Sequence, residues 1–212
     1  MIRNLILDWS GTLANDLPAV LQALNRMLRV FRKPQMTEAE FRERFRLPFK
    51  EFYDEVLPGV PVEFVKNLYL KLFPNARPMV PLIEHAREFL EYGRATGRRM
   101  VIFSSAPGDH VEEQARHLEI WDFFEHAACG VLDKRETIVS MMEARGFAAH
   151  ETAMIGDMRH DIDAGRAAGV LTVATCTGYE SVEKLKSVNP DVLVANLREL
   201  QCWLDDASLA AT

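Results

Sequence analysis

"NLILDWSGTL" (residues 4–13) is an apolar run that ends on an acid and then on a glycine turn. The first part, "NLILDW", reads as a short buried strand bounded by the turn at Gly11. Asp8 stands at its carboxyl end. An acid at the tip of an apolar strand is costly unless something pairs with it, so Asp8 asks for a chemical reason. Beyond the turn the pattern changes. Leu17, Val20, Leu21, Leu24, Leu28 and Phe31 recur at helical spacing, with Pro34 as a stop. Thr37 and Glu40 form a capping-box pattern ahead of Phe41 and Phe45. Helices are also expected over residues 49–56, ended by Pro58 and Gly59, and after Pro61, carrying Phe64, Leu68 and Leu72 and closed by Pro74. Residues 15–77 therefore read as all helical.

After Pro78 the chain alternates. A helix is expected over 82–96, ending at Gly97, then the strand "RMVIF", a helix over 109–118 and a short strand in "HAACG". Asp133 and Glu136 open a helix that Gly146 ends. "TAMIG" is a strand, "HDIDAGRAAG" a helix, and "VLTVAT" and "DVLVA" are strands, the last followed by the helix "LRELQCWL". The tail "DDASLAAT" is expected to fray. Strands alternating with helices imply an α/β fold, a parallel sheet covered on both faces. The first strand precedes the helical block, so the block is an insertion. The division expected is residues 1–14 with 78–212 as the sheet domain, and 15–77 as the inserted helical domain.

Composition narrows the function classes. A net charge of -6 disfavours a nucleic-acid partner. No apolar run reaches the roughly 20 residues of a membrane span, and Asp8 breaks the N-terminal apolar stretch before it could act as a signal core. Three scattered cysteines, Cys129, Cys176 and Cys202, form no metal or redox pair and read as reduced thiols of a cytoplasmic protein.

In an open parallel sheet, ligands bind at the carboxyl ends of the strands. Those ends carry Asp8, Ser10, Gly11 and Thr12, then Ser104 and Ser105, then Lys134 in the first turn of its helix, then Asp157 and, one turn later, Asp161. Singly, Ser104 reads as a turn residue, Asp133-Lys134 as an exposed helix start and Asp157 as a helix cap. Together, two further acids, a cation and hydroxyl donors around Asp8 suit a phosphoryl group and a hard divalent cation.

"LILDWSGTL", "VIFSS", Lys134 and "MIGDMRHDIDAGRAAGV" resemble the four motifs of the haloacid dehalogenase superfamily, and the helical insertion resembles the cap of its phosphoglycolate phosphatase-like branch. The resemblance spans residues 4–204. It implies a Rossmann-like core with a mobile cap, and a phosphatase that uses Mg²⁺ on a small phosphorylated metabolite, as a monomer or homodimer. It makes Asp8 the nucleophile, through an aspartyl-phosphate. It makes Asp8, the Ser10 carbonyl, Asp157 and Asp161 the metal ligands. Ser104 would bind a phosphoryl oxygen and Lys134 would pair with Asp8. Gly11, Thr12 and Ser105 would complete the phosphate site.

Position 10 departs from the family pattern, which places there an aspartate that protonates the leaving oxygen and later activates water. Ser10 keeps the carbonyl but cannot act as an acid or base near neutral pH, so a slow enzyme is expected. His110 and His160 are candidate substitutes. Lys50, in "RLPFKEFY", is a third: phosphonoacetaldehyde hydrolases of this superfamily pair a small residue at position 10 with a cap lysine that forms a Schiff base, and "DWSGT" resembles their motif. Arg44, Arg46 and Lys50 could meet a second anionic group of the substrate, or be a solvated helix face. The competing readings are this carbon–phosphorus hydrolase and a catalytically weak regulatory or binding protein.

Overall fold

In the computed structural model, which describes residues 1–47, 49–73 and 80–209, the opening run is a strand, β1 (Asn4–Leu7), buried at all four positions. Alternation sends its side chains to opposite faces. Leu5 and Leu7 join Ile102, Ile155 and Val173 in one core, and Ile6 joins Val101, Phe103 and Met154 in another. Both faces are thus apolar, which is why the run shows no polar alternation.

The other strands are β2 (Arg99–Phe103), β3 (His126–Ala128), β4 (Thr152–Gly156), β5 (Leu171–Thr175) and β6 (Val192–Val194). The sheet order is β3-β2-β1-β4-β5-β6, with every pair parallel. The chain winds outward from β1 to β3 on one side and from β4 to β6 on the other, so the strand order reverses at β1, the kind of switch point at which open parallel sheets bind ligands. Register does the rest. Leu7 lies opposite both Ile102 and Ile155, so the residues just past it, past Phe103 and past Gly156 emerge at one edge.

Four helices form the inserted block: α1 (Leu17–Val30), α2 (Glu38–Arg44), α3 (Phe49–Val56) and α4 (Val62–Leu72). The expected capping box is present, with Glu40 N–H donating to Thr37 Oγ1 and Thr37 N–H donating to Glu40 Oε2. The block has its own core, built from Leu24, Met27, Phe41, Phe52 and Val65, and Met158 and Tyr179 of the sheet side reach into it. Its entry and exit strands form a stem. Ala14 bridges antiparallel to Leu82, Asn15 N–H donates to the Pro81 carbonyl and Ile83 N–H donates to the Leu13 carbonyl.

On the sheet side, α5 (Ala86–Ala95), α6 (Gly108–His117) and, at the end of the chain, α10 (Leu197–Leu209) cover one face through Phe89, Val111 and Leu200. The other face carries α7 (Lys134–Arg145) and α8 (Arg159–Ala167) through Ile138, Met142 and Ala164. The sixth sheet-side helix, α9 (Val182–Ser187), lies between β5 and β6. Asp133 caps α7 and Gly146 ends it with a φ of 67°.

Two expectations need correction. The helix expected from residue 82 begins only at Ala86, because residues 82–83 are used by the stem and His85 takes a left-handed conformation, φ 66°. The expected frayed tail is helical as far as Leu209, since α10 continues past the apolar residues that anchor it. The helix stop expected at Pro74 and the inner domain boundary expected at 77–78 lie outside the described residues.

Phe52 is fully buried, and its ring meets those of Phe41 and Phe45. Phe52→Ala should cost about 3–5 kcal/mol in the helical block, measured by chemical denaturation. Val30→Ala, at a residue 64% exposed, should stay within about 0.5 kcal/mol.

Candidate active site

The strand tips converge on a buried cluster of charge. Asp8 is 6% exposed, Asp157 0%, Asp161 1% and Lys134 2%. Lys134 is carried in by the first turn of α7, and Asp161 by the first turn of α8. Lys134 Nζ donates to Asp8 Oδ1 at 2.7 Å and to Asp161 Oδ1 at 2.6 Å. One oxygen from each of the three carboxylates can be chosen so that all lie within 4.8 Å of one another.

The other oxygens are fixed by the backbone and by hydroxyls. Asp157 Oδ2 accepts from Tyr179 N–H at 2.6 Å and Oδ1 from Thr12 Oγ1 at 3.1 Å. Asp161 Oδ2 accepts from Met158 N–H at 3.1 Å. Close backbone approach permits this. Gly11 has a φ of 75°, and a Cβ there would stand 2.8 Å from the Gly178 Cα; at Gly178 itself a Cβ would collide with Asp157.

Three ionised carboxylates beside one ammonium would leave an excess of negative charge where water is excluded. Burial raises the pKa of Asp8, and the Asp161 charge adds to it while Lys134 opposes. Burial, then the charges of Asp8 and Asp161, raise that of Asp157 well above the carboxylate range. Burial alone would depress Lys134, but the two carboxylates outweigh it and hold the amine protonated. A cation held among these carboxylates would offset that excess. All the donors are oxygens, which suits a hard ion such as Mg²⁺.

Around the cluster, Ser104 is 1% exposed and its Oγ accepts from Ala106 N–H at 3.2 Å, leaving its own proton available. Ser105 Oγ is buried with no hydrogen-bond partner among the described residues. Gly11 and Thr12 play parts other than those expected. Gly11 N–H donates to the Ala14 carbonyl at 2.8 Å, and the Thr12 hydroxyl orients Asp157. The Gly11 N–H is thus used within the turn and the Thr12 hydroxyl on the Asp157 carboxylate.

For Lys50, Arg46 and Arg44 the structure matches the solvated-face alternative and not the anion-binding one. Lys50, with a side chain 61% exposed, pairs with Asp54 at 2.5 Å. Arg46 Nη1 lies 2.7 Å from Glu55 Oε2, and Arg44 lies 2.8 Å from the same carboxylate. The three cations are neutralised on the block's own surface. His110 stacks on Phe73 at 6.5 Å. His160 Nε2 accepts from Lys134 N–H at 3.4 Å, and burial followed by the Lys134 charge lowers its pKa.

A residue not anticipated is Asp16. It is 6% exposed and stands just before α1, yet its side chain caps nothing. Instead, Ser10 Oγ donates to Asp16 Oδ2 at 2.6 Å and Tyr179 Oη donates to Oδ1 at 3.0 Å. Burial raises its pKa to about 6 against the pull of those two hydrogen bonds. In the sequence Asp16 resembles any helix-opening acid ahead of Pro18, and only the fold-back of the Gly11 turn brings it behind Ser10.

Residues 5–175 match the model of the haloacid dehalogenase-like hydrolases. The chain belongs to that family. A phosphoglycolate phosphatase of Pseudomonas fluorescens is 24% identical over 213 residues, covering 93% of this chain and 78% of that protein. A 5'-nucleotidase of Pseudomonas aeruginosa is 29% identical over 123 residues, covering 56% of each chain. Among solved structures, a haloacid dehalogenase-like family hydrolase of Streptococcus pneumoniae superimposes with a TM-score of 0.85 at 17% identity, covering 96% of this chain and 98% of that one. As a member of the family the protein is a hydrolase with a parallel-sheet core and a helical insertion. No helix among the described residues is long and apolar enough to cross a membrane.

Lys134→Met should leave Asp8 and Asp161 as unpaired buried acids and destabilise the metal-free protein by about 3–5 kcal/mol, measured by urea denaturation. Asp157→Asn should abolish Mg²⁺ binding in calorimetry; retention of the wild-type affinity would remove Asp157 from the ligand set.

Proposed function

We propose that this hydrolase is a Mg²⁺-dependent phosphomonoester phosphatase acting on a small phosphorylated metabolite, with Asp8 as its nucleophile. The observation that carries the reading is the Asp8 carboxylate, buried at the switch point of the sheet and held by Lys134 at 2.7 Å beside two further acids. Asp8, the Ser10 carbonyl, Asp157 and Asp161 would hold the ion. When bound, Mg²⁺ offsets the repulsion between an anionic nucleophile and an anionic phosphate.

The residues divide the work as follows. Lys134 opposes the effect of burial on Asp8 and aims its carboxylate. The Ser104 and Ser105 hydroxyls donate to phosphoryl oxygens. An Asp8 oxygen attacks phosphorus, the bond from phosphorus to the leaving oxygen breaks, and that oxygen takes its proton from solvent. Water then attacks phosphorus, the bond to Asp8 breaks, and phosphate leaves. The helical block closes the crevice over small substrates. Phosphoglycolate is a natural first substrate to assay, by the likeness to the Pseudomonas protein. Three unpaired cysteines fit a reducing compartment, the cytoplasm.

Carbon–phosphorus hydrolysis through Lys50 is disfavoured by that amine's exposure and its pairing with Asp54. A purely regulatory role does not account for a nucleophile kept buried, paired and surrounded by oxygen ligands.

Ser10 makes the enzyme depend on its leaving group. Without an acid to protonate the departing oxygen, aryl phosphates should be cleaved far faster than alkyl phosphates. Ser10→Asp should raise alkyl turnover on the order of 10² or more. A panel of small phosphoesters, assayed with Mg²⁺ and with chelator, tests both points. Turnover that survives chelation, or that Asp8→Asn leaves intact, would contradict the proposal.

A further inference from the structure

The reaction needs a proton acceptor when water attacks the aspartyl-phosphate, and position 10 has no ionisable group. A carboxylate stands directly behind it. Asp16 is buried, makes no cap hydrogen bond to α1 and has no ion-pair partner among the described residues. Its two oxygens accept from two neutral hydroxyls, those of Ser10 and Tyr179. A buried acid so placed is held at a cost in stability, and capping or charge pairing does not account for it.

We propose that Asp16 and Ser10 form a relay that activates the hydrolytic water, with Ser10 touching the water and Asp16 acting through Ser10 as a positioning residue. The proposal rests on the phosphatase reading. The local fold supplies the geometry. Trp9 is 1% exposed, and its Nε1 donates to Gln114 Oε1 at 2.8 Å. Trp9 turns into the core, while the Ser10 side chain, two residues past Asp8, faces Asp16. The Gly11 turn then reverses the chain, as Leu13 and Ala14 N–H groups both donate to the Trp9 carbonyl at 2.9 Å. Asp16 arrives behind Ser10, its Oδ2 2.6 Å from the Ser10 Oγ.

With its proton committed to Asp16, Ser10 Oγ turns its lone pairs toward the crevice. There it can accept from a water poised over the phosphorylated Asp8. The water oxygen bonds to phosphorus and the phosphorus bond to Asp8 breaks. One water proton passes to Ser10 Oγ as the Ser10 proton passes to Asp16 Oδ2. Asp8 is regenerated, phosphate leaves, and Asp16 releases its proton to solvent. The relay runs from the water to Asp16 and gives the leaving oxygen no proton. The relay therefore restores only the hydrolytic half of what an aspartate at position 10 would do. The preference for aryl esters remains, and the phospho-enzyme does not accumulate.

The test is rapid-quench kinetics with 4-nitrophenyl phosphate and Mg²⁺. Wild-type protein should release nitrophenolate linearly from mixing. Asp16→Asn, nearly isosteric and still an acceptor for Ser10, should lose steady-state turnover on the order of 10² or more. It should show a burst approaching one equivalent of nitrophenolate per site. Ser10→Ala should give the same burst, and the double variant should be no slower than either single one. A purely structural role for Asp16 would lower burst and turnover together. That outcome in folded protein, or wild-type turnover in Asp16→Asn, would overturn the relay while Asp8-dependent hydrolysis stood. Nitrophenolate release that Asp8→Asn leaves unchanged would overturn the phosphatase reading itself.

Discussion

The ammonium of Lys134, 2.7 Å from Asp8 and 2.6 Å from Asp161, is the interaction around which the sheet edge is organised. Burying two carboxylates side by side is expensive, and a buried cation within hydrogen-bond reach of both is what makes it tolerable. Asp157 shares the same pocket without a cation of its own, held by the Tyr179 N–H and the Thr12 hydroxyl. The charge that Lys134 leaves uncompensated when all three acids ionise is what would favour a divalent cation among them. Gly11 and Gly178 lie against the same carboxylate for a steric reason, since a side chain at either would displace Asp157.

Tyr179 ties this cluster to the helical block. Its backbone N–H holds Asp157, its hydroxyl donates to Asp16, and its ring lies 5.8 Å from that of Phe41 and 5.5 Å from that of Phe45. Lys184 adds a second tie, donating from α9 to the last carbonyls of α2, those of Arg42 and Glu43. Favourable placement of a cation at a helix C-terminus thus links block and core a short distance from the site. Whatever moves the block is felt at Tyr179, and through it at Asp157 and Asp16.

Much of this was legible in the sequence, because the signals were local. Continuous apolar runs such as "LIL" and "MVIF" marked strands buried on two faces. The capping box at Thr37 and Glu40 and the glycine stop at Gly146 marked helix ends. Asp8, Lys134, Asp157 and Asp161 could be grouped because each follows a strand in a parallel sheet. What the sequence concealed depends on long-range geometry. Asp16 reads as a helix-opening acid until the Gly11 turn folds it onto Ser10. The Thr12 hydroxyl reads as a phosphate donor until β1 and β4 are set side by side. Whether Lys50 and Arg46 meet substrate or form a surface face is open in the sequence until α3 presents Asp54, Glu51 and Glu55 to them.

The central claim is that Asp8 is a nucleophile whose buried surroundings demand a hard cation. The most direct measurement is a crystal structure with Mg²⁺ and beryllofluoride, a mimic of the phosphoryl group on a carboxylate. The account predicts beryllium bonded to an Asp8 oxygen, its fluorines facing Ser104 and Lys134. It also predicts the ion held by the carboxylates of Asp8 and Asp157 and the Ser10 carbonyl. An adduct on any other side chain, or an Asp8 adduct formed without the ion, would contradict it.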